Sequence, residues 1–480
     1  MKKILIFLAG AGLLASCKKD FIEIVPVATV SVDVVYKTDK DFQDAVTASY
    51  NTLQSQYQNF WKFGDLPGED ISEDIPNQFE NVAMDQFNAN SRLGVITSSW
   101  QNYFSMINRS NLILTKIEEA DAAVVANKNR HIGEAKFLRA LAYFDLVRIF
   151  GDVPLLNKPV TVEEAYKQAR EKVDKIYDEM IIPDLLDAET KLAAKYTGTN
   201  VGRPTSGAAK SLLGKVYLTR KDFPKAEAKL MEVTTMGYAL LPNFKDLFDY
   251  TKNEHHSEYI FDVEYEEGIT EGSAFPLQFF PFAKVIMDYY GYVSGTPGNS
   301  GAPTPTLYNA FDPSDLRRAI TVNYGITVNG VFIPIPSQSV QVSKSFTTKY
   351  IAPSAIAGDS KANWKVIRYA DVLLMLAEAM NENNKTNLAL GYLNQVRQRV
   401  SMPTYSGLTQ NDAREKIYLE RRFELTLEGH RWFDLVRTGR ALATLSSLGM
   451  KANMTVFPIP LTQIQIINDP SILPQNPGYD

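Results

Sequence analysis

Cysteine is nearly absent: Cys17 is the only one in 480 residues. A disulfide, a thiolate-ligated zinc and a dithiol redox pair are therefore excluded within one chain. No run reaches the about 20 apolar residues that a spanning helix needs. The longest later stretches, such as Val372 to Ala377, have the length of a core helix segment. Charge of one sign is also scarce: 50 Lys and Arg against 55 Asp and Glu leave −5. That balance lacks the basic footprint of nucleic-acid binding. Common catalytic signatures are missing. There is no Gly-x-Ser-x-Gly elbow and no His-Glu-x-x-His zinc motif, and the turns at Gly295, Gly298 and Gly301 have no Lys-Ser/Thr partner for a phosphate cradle. With 45% hydrophobic and 22% charged residues, the chain is an ordinary globular one, long enough to bury a large core.

The N-terminus gives the lone cysteine a place. Lys2 and Lys3 precede twelve residues, Ile4 to Ala15, that are all apolar or Gly, and Leu14-Ala15-Ser16-Cys17 follows. A basic start, a short apolar core and small residues before a cleavage point form an export signal. The ending resembles the bacterial lipobox, which implies cleavage over 1–16 and lipidation of Cys17. Loss of Lys2 and Lys3 takes the formal charge from −5 to −7. Acyl chains contribute ~0.8 kcal/mol per buried CH₂, enough for several to hold a soluble body at a membrane. Residues 18–35 read as a tether, and export without disulfides fits a Gram-negative envelope.

The body changes texture along its length. From about 40 to 265 the apolar spacing is helical. Asp39 or Asp41 is the expected cap of the first helix. Further helices are expected over Trp100 to Ile117, His131 to Phe150, Val173 to Ala188 with a break near Pro183, and from a Thr205 or Ser206 cap to Arg220. Leu213-Gly214-x-x-Tyr217 with Ala226, and Leu376-Ala377-x-x-Met380 with Ala389, repeat one small-residue spacing 163 residues apart. Such spacing lets paired helices approach closely and suggests helical hairpins split by an insertion. Residues 266–363 hold nine Gly and nine Pro, so a loop-rich insertion with short strands such as Gly330 to Pro334 is expected. Helices return over Val366 to Asn381, Leu388 to Val400, Asp412 to Glu428 and His430 to Leu442. An extended, Pro-rich tail ends the chain.

Several clusters look chemical. Glu420, Glu424 and Glu428, with His430 and Asp434, fit acid–base chemistry by type. Their i, i+4 spacing beside Arg431 and Arg437 reads instead as an ion-paired helix. His255-His256 has no third ligand near in sequence, so a polar loop is expected there. Asp65, Glu69, Asp70, Glu73 and Asp74 lack calcium-loop spacing and read as a solvated loop or helix start. No catalytic residue, metal site or cofactor is expected. The better lead is aromatic: residues 275–311 carry nine Phe or Tyr, among them Tyr289, Tyr290, Tyr292 and Tyr308. Sugars present apolar C–H faces and hydroxyl edges, so a sugar site wants flat rings with polar groups at the rim. Tyr289, Tyr290 and Tyr292 beside Gly291 are candidates. So are Trp61, Asp70, Phe87, Asn88, Asn90 and Arg92 in the polar segments of the N-terminal part.

Four segments in order then resemble the RagB/SusD family of Bacteroidetes surface lipoproteins. They are Gly133 to Pro154 (GEAKFLRALAYFDLVRIFGDVP), Arg368 to Ala379 (RYADVLLMLAEA), Glu420 to Arg437 (ERRFELTLEGHRWFDLVR), and Phe457-Pro-Ile-Pro460 with Asn476-Pro-Gly-Tyr479. The resemblance implies a mostly α fold of tetratricopeptide-like hairpins with a variable insertion. It implies one SusD-like domain over 17–480, made of a helical part (40–265), the insertion (266–363) and C-terminal helices with a tail (364–480). It implies an outer-membrane, surface-exposed lipoprotein that binds an oligomeric nutrient, usually a glycan, for a partner TonB-dependent (SusC-like) transporter. A lipid-anchored glycan hydrolase, or a helical scaffold of the transporter assembly, are the alternatives. The resemblance transfers no ligand residues, because they fall in the family's variable part.

Overall fold

Thr38 starts the first long helix. Its hydroxyl accepts the backbone N–H of Asp41, whose carboxylate answers to the N–H of Thr38, so Asp41 completes a capping box rather than capping the helix itself. The computed structural model describes residues 36–479, apart from Asp74, Pro76, Asn253, Ser294 and residues 337–344. The export signal, Cys17 and the tether lie outside the described residues.

The fold is mostly helical. Among the described residues, the helices of ten or more residues are α1 (Asp39–Tyr57), α2 (Gly94–Glu119), α3 (Lys128–Phe150), α4 (Ile182–Lys191), α5 (Ser206–Thr219), α6 (Phe223–Thr234), α7 (Tyr369–Glu382), α8 (Thr386–Arg399) and α9 (Gln410–Glu424). Each packs on the next through α8, and α9 closes on α7 and α8. The expected break at Pro183 is instead a wider turn. Val173–Ile176 runs through a π-helical turn, Tyr177–Ile181, straight into α4, which accommodates a proline without a free N–H near the start of α4. Thr205, not Ser206, caps α5.

The two small-residue hairpins are neighbours in space. α6 packs on α7 although the insertion separates them in sequence, so α7–α8 stacks on α5–α6 as the next hairpin of one array. Gly214, at the α5–α6 contact, has no room for a side chain: a Cβ there would stand 2.5 Å from Leu230 Cδ2. Ala226, Ala377 and Ala389 are fully buried. Gly214→Val is therefore expected to cost about 1–3 kcal/mol through overpacking, read from urea unfolding. Wild-type stability would mean that Leu230 moves aside freely.

A short antiparallel ladder closes the insertion. The strand Tyr259–Val263 pairs with the strand Trp364–Arg368. Helix was expected from Val366, but the β-branched Val366 and Ile367 lie in this ladder, and α7 begins only at Tyr369. Two further expectations shift in the same region. α9 stops at Glu424, with Leu427 at φ +63 beyond it, and the stretch after His430 divides into short helices Arg431–Arg437 and Ala441–Leu445. The insertion has its own small core of Phe280, Ala283, Ile286, Tyr292, Ile326 and Phe346. It is docked to the helical array where the short strand Ile71–Ser72 pairs with Ala302–Pro303, and where Trp61 meets Phe279 at 5.0 Å. Its hairpin, Gly325–Val328 with Val331–Pro334, turns at Asn329-Gly330, both at positive φ, as a two-residue hairpin turn requires. The tail is less extended than expected, since it contains the helix Leu461–Ile467. It returns to the end of α3, where Asn476 Nδ2 donates to the Phe150 and Phe457 carbonyls.

Candidate functional site

A buried ionic hub fixes the insertion against the helices. Arg317, Lys349, Arg368, Arg397 and Arg399 meet Glu258, Asp315, Glu420, Glu424 and Glu428. Arg368 Nη1 lies 2.6 Å from Glu424 and its Nε 2.7 Å from Glu428, while Arg317 reaches Glu420 at 2.7 Å and Glu424 at 2.9 Å. Burial pushes the Glu424 carboxyl up, but Arg399, Arg368 and Arg317 outweigh it and hold it well below the usual range. Glu428 is held at about 2 by the same balance, with Arg368 and Lys349 as its cations. Burial, with the charge of Lys215, lowers His430 to about 3 and keeps it neutral. The carboxylates that suggested acid–base chemistry are thus spent on ion pairs.

The acidic stretch is not the solvated loop expected for it. Asp65, Asp70 and Glu73 are buried. Arg422 binds Asp70 at 2.6 Å, Arg431 binds Glu69, and Glu73 accepts from the Ile75 N–H and Asn81. Two arginines that follow in the Glu420–Arg437 segment draw these acids inward. His255 pairs with Glu264 at 2.6 Å. Among the described residues, no three His, Cys, Asp or Glu side chains gather as a metal set, and no helix is long and apolar enough to cross a membrane.

On the far side of Arg317 the insertion opens into a cavity of about 450 Å³, within the range of small-ligand sites. Tyr289 and Tyr290 come from the helix Lys284–Tyr290, Tyr308 from Pro305–Ala310, and Arg318 from the turn Arg318–Thr321. Asn323, Tyr324 and Phe332 come from the hairpin and its approach. Tyr308 and Tyr324 meet edge to face at 5.2 Å, as do Tyr289 and Tyr290 at 4.8 Å. The Arg318 guanidinium lies 3.8 Å over the Tyr308 ring. Tyr289 is 50% exposed and Phe332 57%. Burial pushes the Tyr290 hydroxyl up to about 12, so it stays a donor. Arg318 Nε and Asn323 Nδ2 are buried with no hydrogen-bond partner among the described residues. Such donors are rare in folded proteins, and a ligand acceptor is one way to satisfy them.

Of the candidate site residues, only Tyr289 and Tyr290 line this cavity. Tyr292 is buried behind it, its ring tilted 35° against Phe280 at 4.4 Å, and its hydroxyl accepts the Ala352 N–H. Trp61 is wholly buried, so it offers no open platform; its burial follows from the docking contact with Phe279. Asp70 is closed off by Arg422, and Phe87 packs on Trp432. Asn88, Asn90 and Arg92 are exposed in the connection before α2, where Asn90 Oδ1 accepts the Arg92 N–H. The residues missed are Arg318, Asn323, Tyr324 and Phe332, and Tyr308 was noted only as one of the nine aromatics. Their signal was faint: polar–aromatic neighbours between Pro313 and the Asn329-Gly330 turn.

A second cavity, of about 360 Å³, lies among α3, α5 and the helix Arg431–Arg437. Its cations Arg148, Lys215, Arg220, Arg421 and Arg437 are each paired with a carboxylate. It therefore offers fewer free donors than the tyrosine-lined cavity.

Residues 28–218 match a family model described as "Starch-binding associating with outer membrane", and residues 335–456 match the model of the SusD family. Neither match reaches the tyrosine-lined cavity. The chain is 27% identical to "SusD-like protein P2" of Formosa agariphila over 95% of both chains. It is 27% identical in sequence to a solved "Laminarin binding SusD-like protein", with a TM-score of 0.77 over 92% of this chain and all of that one. A surface glycan-binding protein A from Bacteroides thetaiotaomicron, at 22% identity, shares the fold with a TM-score of 0.78, over 92% of this chain and all of that one. With the hairpin array and the ordered segments above, these matches make the chain SusD-like in sequence and fold.

Proposed function

We propose that residues 17–480 form one SusD-like, lipid-anchored domain at the outer-membrane surface. It captures an oligosaccharide in the tyrosine-lined cavity and passes it to a TonB-dependent transporter. The observation that carries the binding step is the cavity itself, in which four tyrosine rings line a space with two buried donors, Arg318 Nε and Asn323 Nδ2, that have no partner among the described residues. Rings can stack on the C–H faces of a sugar while the donors take its oxygens. The laminarin-binding relative and the starch-binding description of the matching family model support a carbohydrate over a peptide. The lipobox ending at Cys17 supports the anchor. An anchor beside the transporter raises the local concentration of captured ligand without any new contact. Capture breaks no bond.

Titration of the purified protein with a panel of oligosaccharides and peptides tests this. One carbohydrate class is expected to bind. Tyr289→Ala is expected to weaken that binding at least about tenfold, while the melting temperature stays within about 2 °C because the ring is half exposed. Unchanged affinity in the variant would move the site elsewhere.

A further inference from the structure

Among the described residues, two charged side chains line the tyrosine-rich cavity, and they differ in what is left of their charge. Asp315 is consumed locally: Oδ1 accepts the backbone N–H and Nε of Arg317, and Oδ2 accepts its Nη2 at 2.7 Å. Arg318 has no such partner. No carboxylate among the described residues stands within ion-pair distance of it. The acid that senses it, Asp312, is exposed and engaged with Ser314 through the Ser314 N–H and hydroxyl. Arg318 cannot easily leave, because its neighbour Arg317 is anchored in the ionic hub with no exposed surface. Stacking on Tyr308 also fixes the plane of the guanidinium. Among the described residues, the cavity therefore presents a planar, unpaired cation whose Nε is already desolvated, with a second orphan donor at Asn323.

We infer that this cavity selects a sugar carrying an anionic ring substituent, a carboxylate or a sulfate ester, and that Arg318 reads it. The inference rests on the carbohydrate reading above and narrows it. Both orphan groups are donors. A hydroxyl is donor and acceptor at once, whereas a carboxylate or sulfate only accepts and matches the planar fork of a guanidinium. Leaving the desolvated Nε of a charged guanidinium unpaired is costly, and an anionic ligand group offsets that cost better than a neutral one. The chain as a whole is negative, so this single local cation opposes the long-range field.

The test uses matched pairs: oligogalacturonate against its methyl ester, and sulfated galactan oligosaccharides against their desulfated forms, each titrated into the protein. In at least one pair the acidic member is expected to bind tenfold or more tightly, with affinity falling as salt rises. The pair that responds tells carboxylate from sulfate. Arg318→Gln is expected to abolish that preference, weakening the acidic member about tenfold more than the neutral one, while Arg318→Lys restores part of it. Binding of neutral sugars with no acidic preference in either pair overturns the inference and leaves carbohydrate capture standing. So does Arg318→Gln weakening acidic and neutral members equally. If no carbohydrate binds at all, carbohydrate capture fails first and this inference with it.

Discussion

Arg368→Met is expected to lower the unfolding free energy by about 3–5 kcal/mol, the range for breaking one member out of a buried ion-paired group. Arg368 binds Glu258 at 2.8 Å, Glu424 at 2.6 Å and Glu428 at 2.7 Å, and all four side chains are essentially closed to water. Met keeps much of the length and apolar contact but no charge. The hub would then hold five carboxylates against four cations. Glu424 retains Arg317 and Arg399, whereas Glu428 retains only Lys349. A double-mutant cycle separates the pair from the packing. Glu428→Gln alone should also destabilise, but combined with Arg368→Met it should cost less than the sum, by roughly 0.5–3 kcal/mol. Strict additivity, or a single-variant cost below about 1 kcal/mol, would mean that the hub is not held together as described. The consequence for function is positional. Arg317 and Lys349 enter the hub from the insertion, and Arg368, Arg397 and Arg399 from the array, so loosening the hub loosens the cavity wall that begins at Arg318.

How much of this was legible follows the range of the interactions. The hairpins were readable because Gly214, Ala226, Ala377 and Ala389 act locally, where a small residue at a helix contact leaves a spacing that a sequence records. That α7–α8 stacks on α5–α6 was not legible, because a shared spacing shows that two hairpins are alike and not that they touch. The strand at Trp364–Arg368 was hidden, because its partner at Tyr259–Val263 lies about a hundred residues away and a short apolar run fits helix or strand equally. The ion-paired reading of Glu420 and Glu424 was available from i, i+4 spacing, but the partners that matter, Arg317 and Arg368, are distant in sequence. The cavity was half legible. Local composition exposed Tyr289 and Tyr290. The fate of Trp61 depended on Phe279, and that of Arg318 on how Arg317 is anchored, and neither leaves a mark in a linear pattern.

Asp65 predicts the second large effect, with the opposite pH sense to the hub. Its Oδ2 accepts the Gly429 N–H at 2.7 Å, while Oδ1 is buried with no partner among the described residues. Burial raises its pKa to about 8. The Gly429 N–H and Lys349 pull it down, and Glu428 and Asp70 push it further up. The folded protein therefore keeps a proton that the unfolded chain releases above about pH 4. With more protons bound when folded, stability falls as pH rises, by about 1.4 kcal/mol per unit between roughly pH 4 and 8. Below that window both states are protonated, and above it both are ionised, so the slope vanishes. Other groups titrate in the same range: His256 and His430, both lowered to about 3, make stability rise with pH up to about 6.5. The informative quantity is thus the difference between Asp65→Asn and wild type, in which those contributions cancel. Asn keeps the acceptor for Gly429 and cannot ionise. Its unfolding free energy relative to wild type should gain about 4 kcal/mol from pH 5 to pH 8, measured by urea unfolding at each pH. Parallel curves across that window would show that Asp65 is ionised in the folded protein, and that Lys349 serves it as well as Glu428.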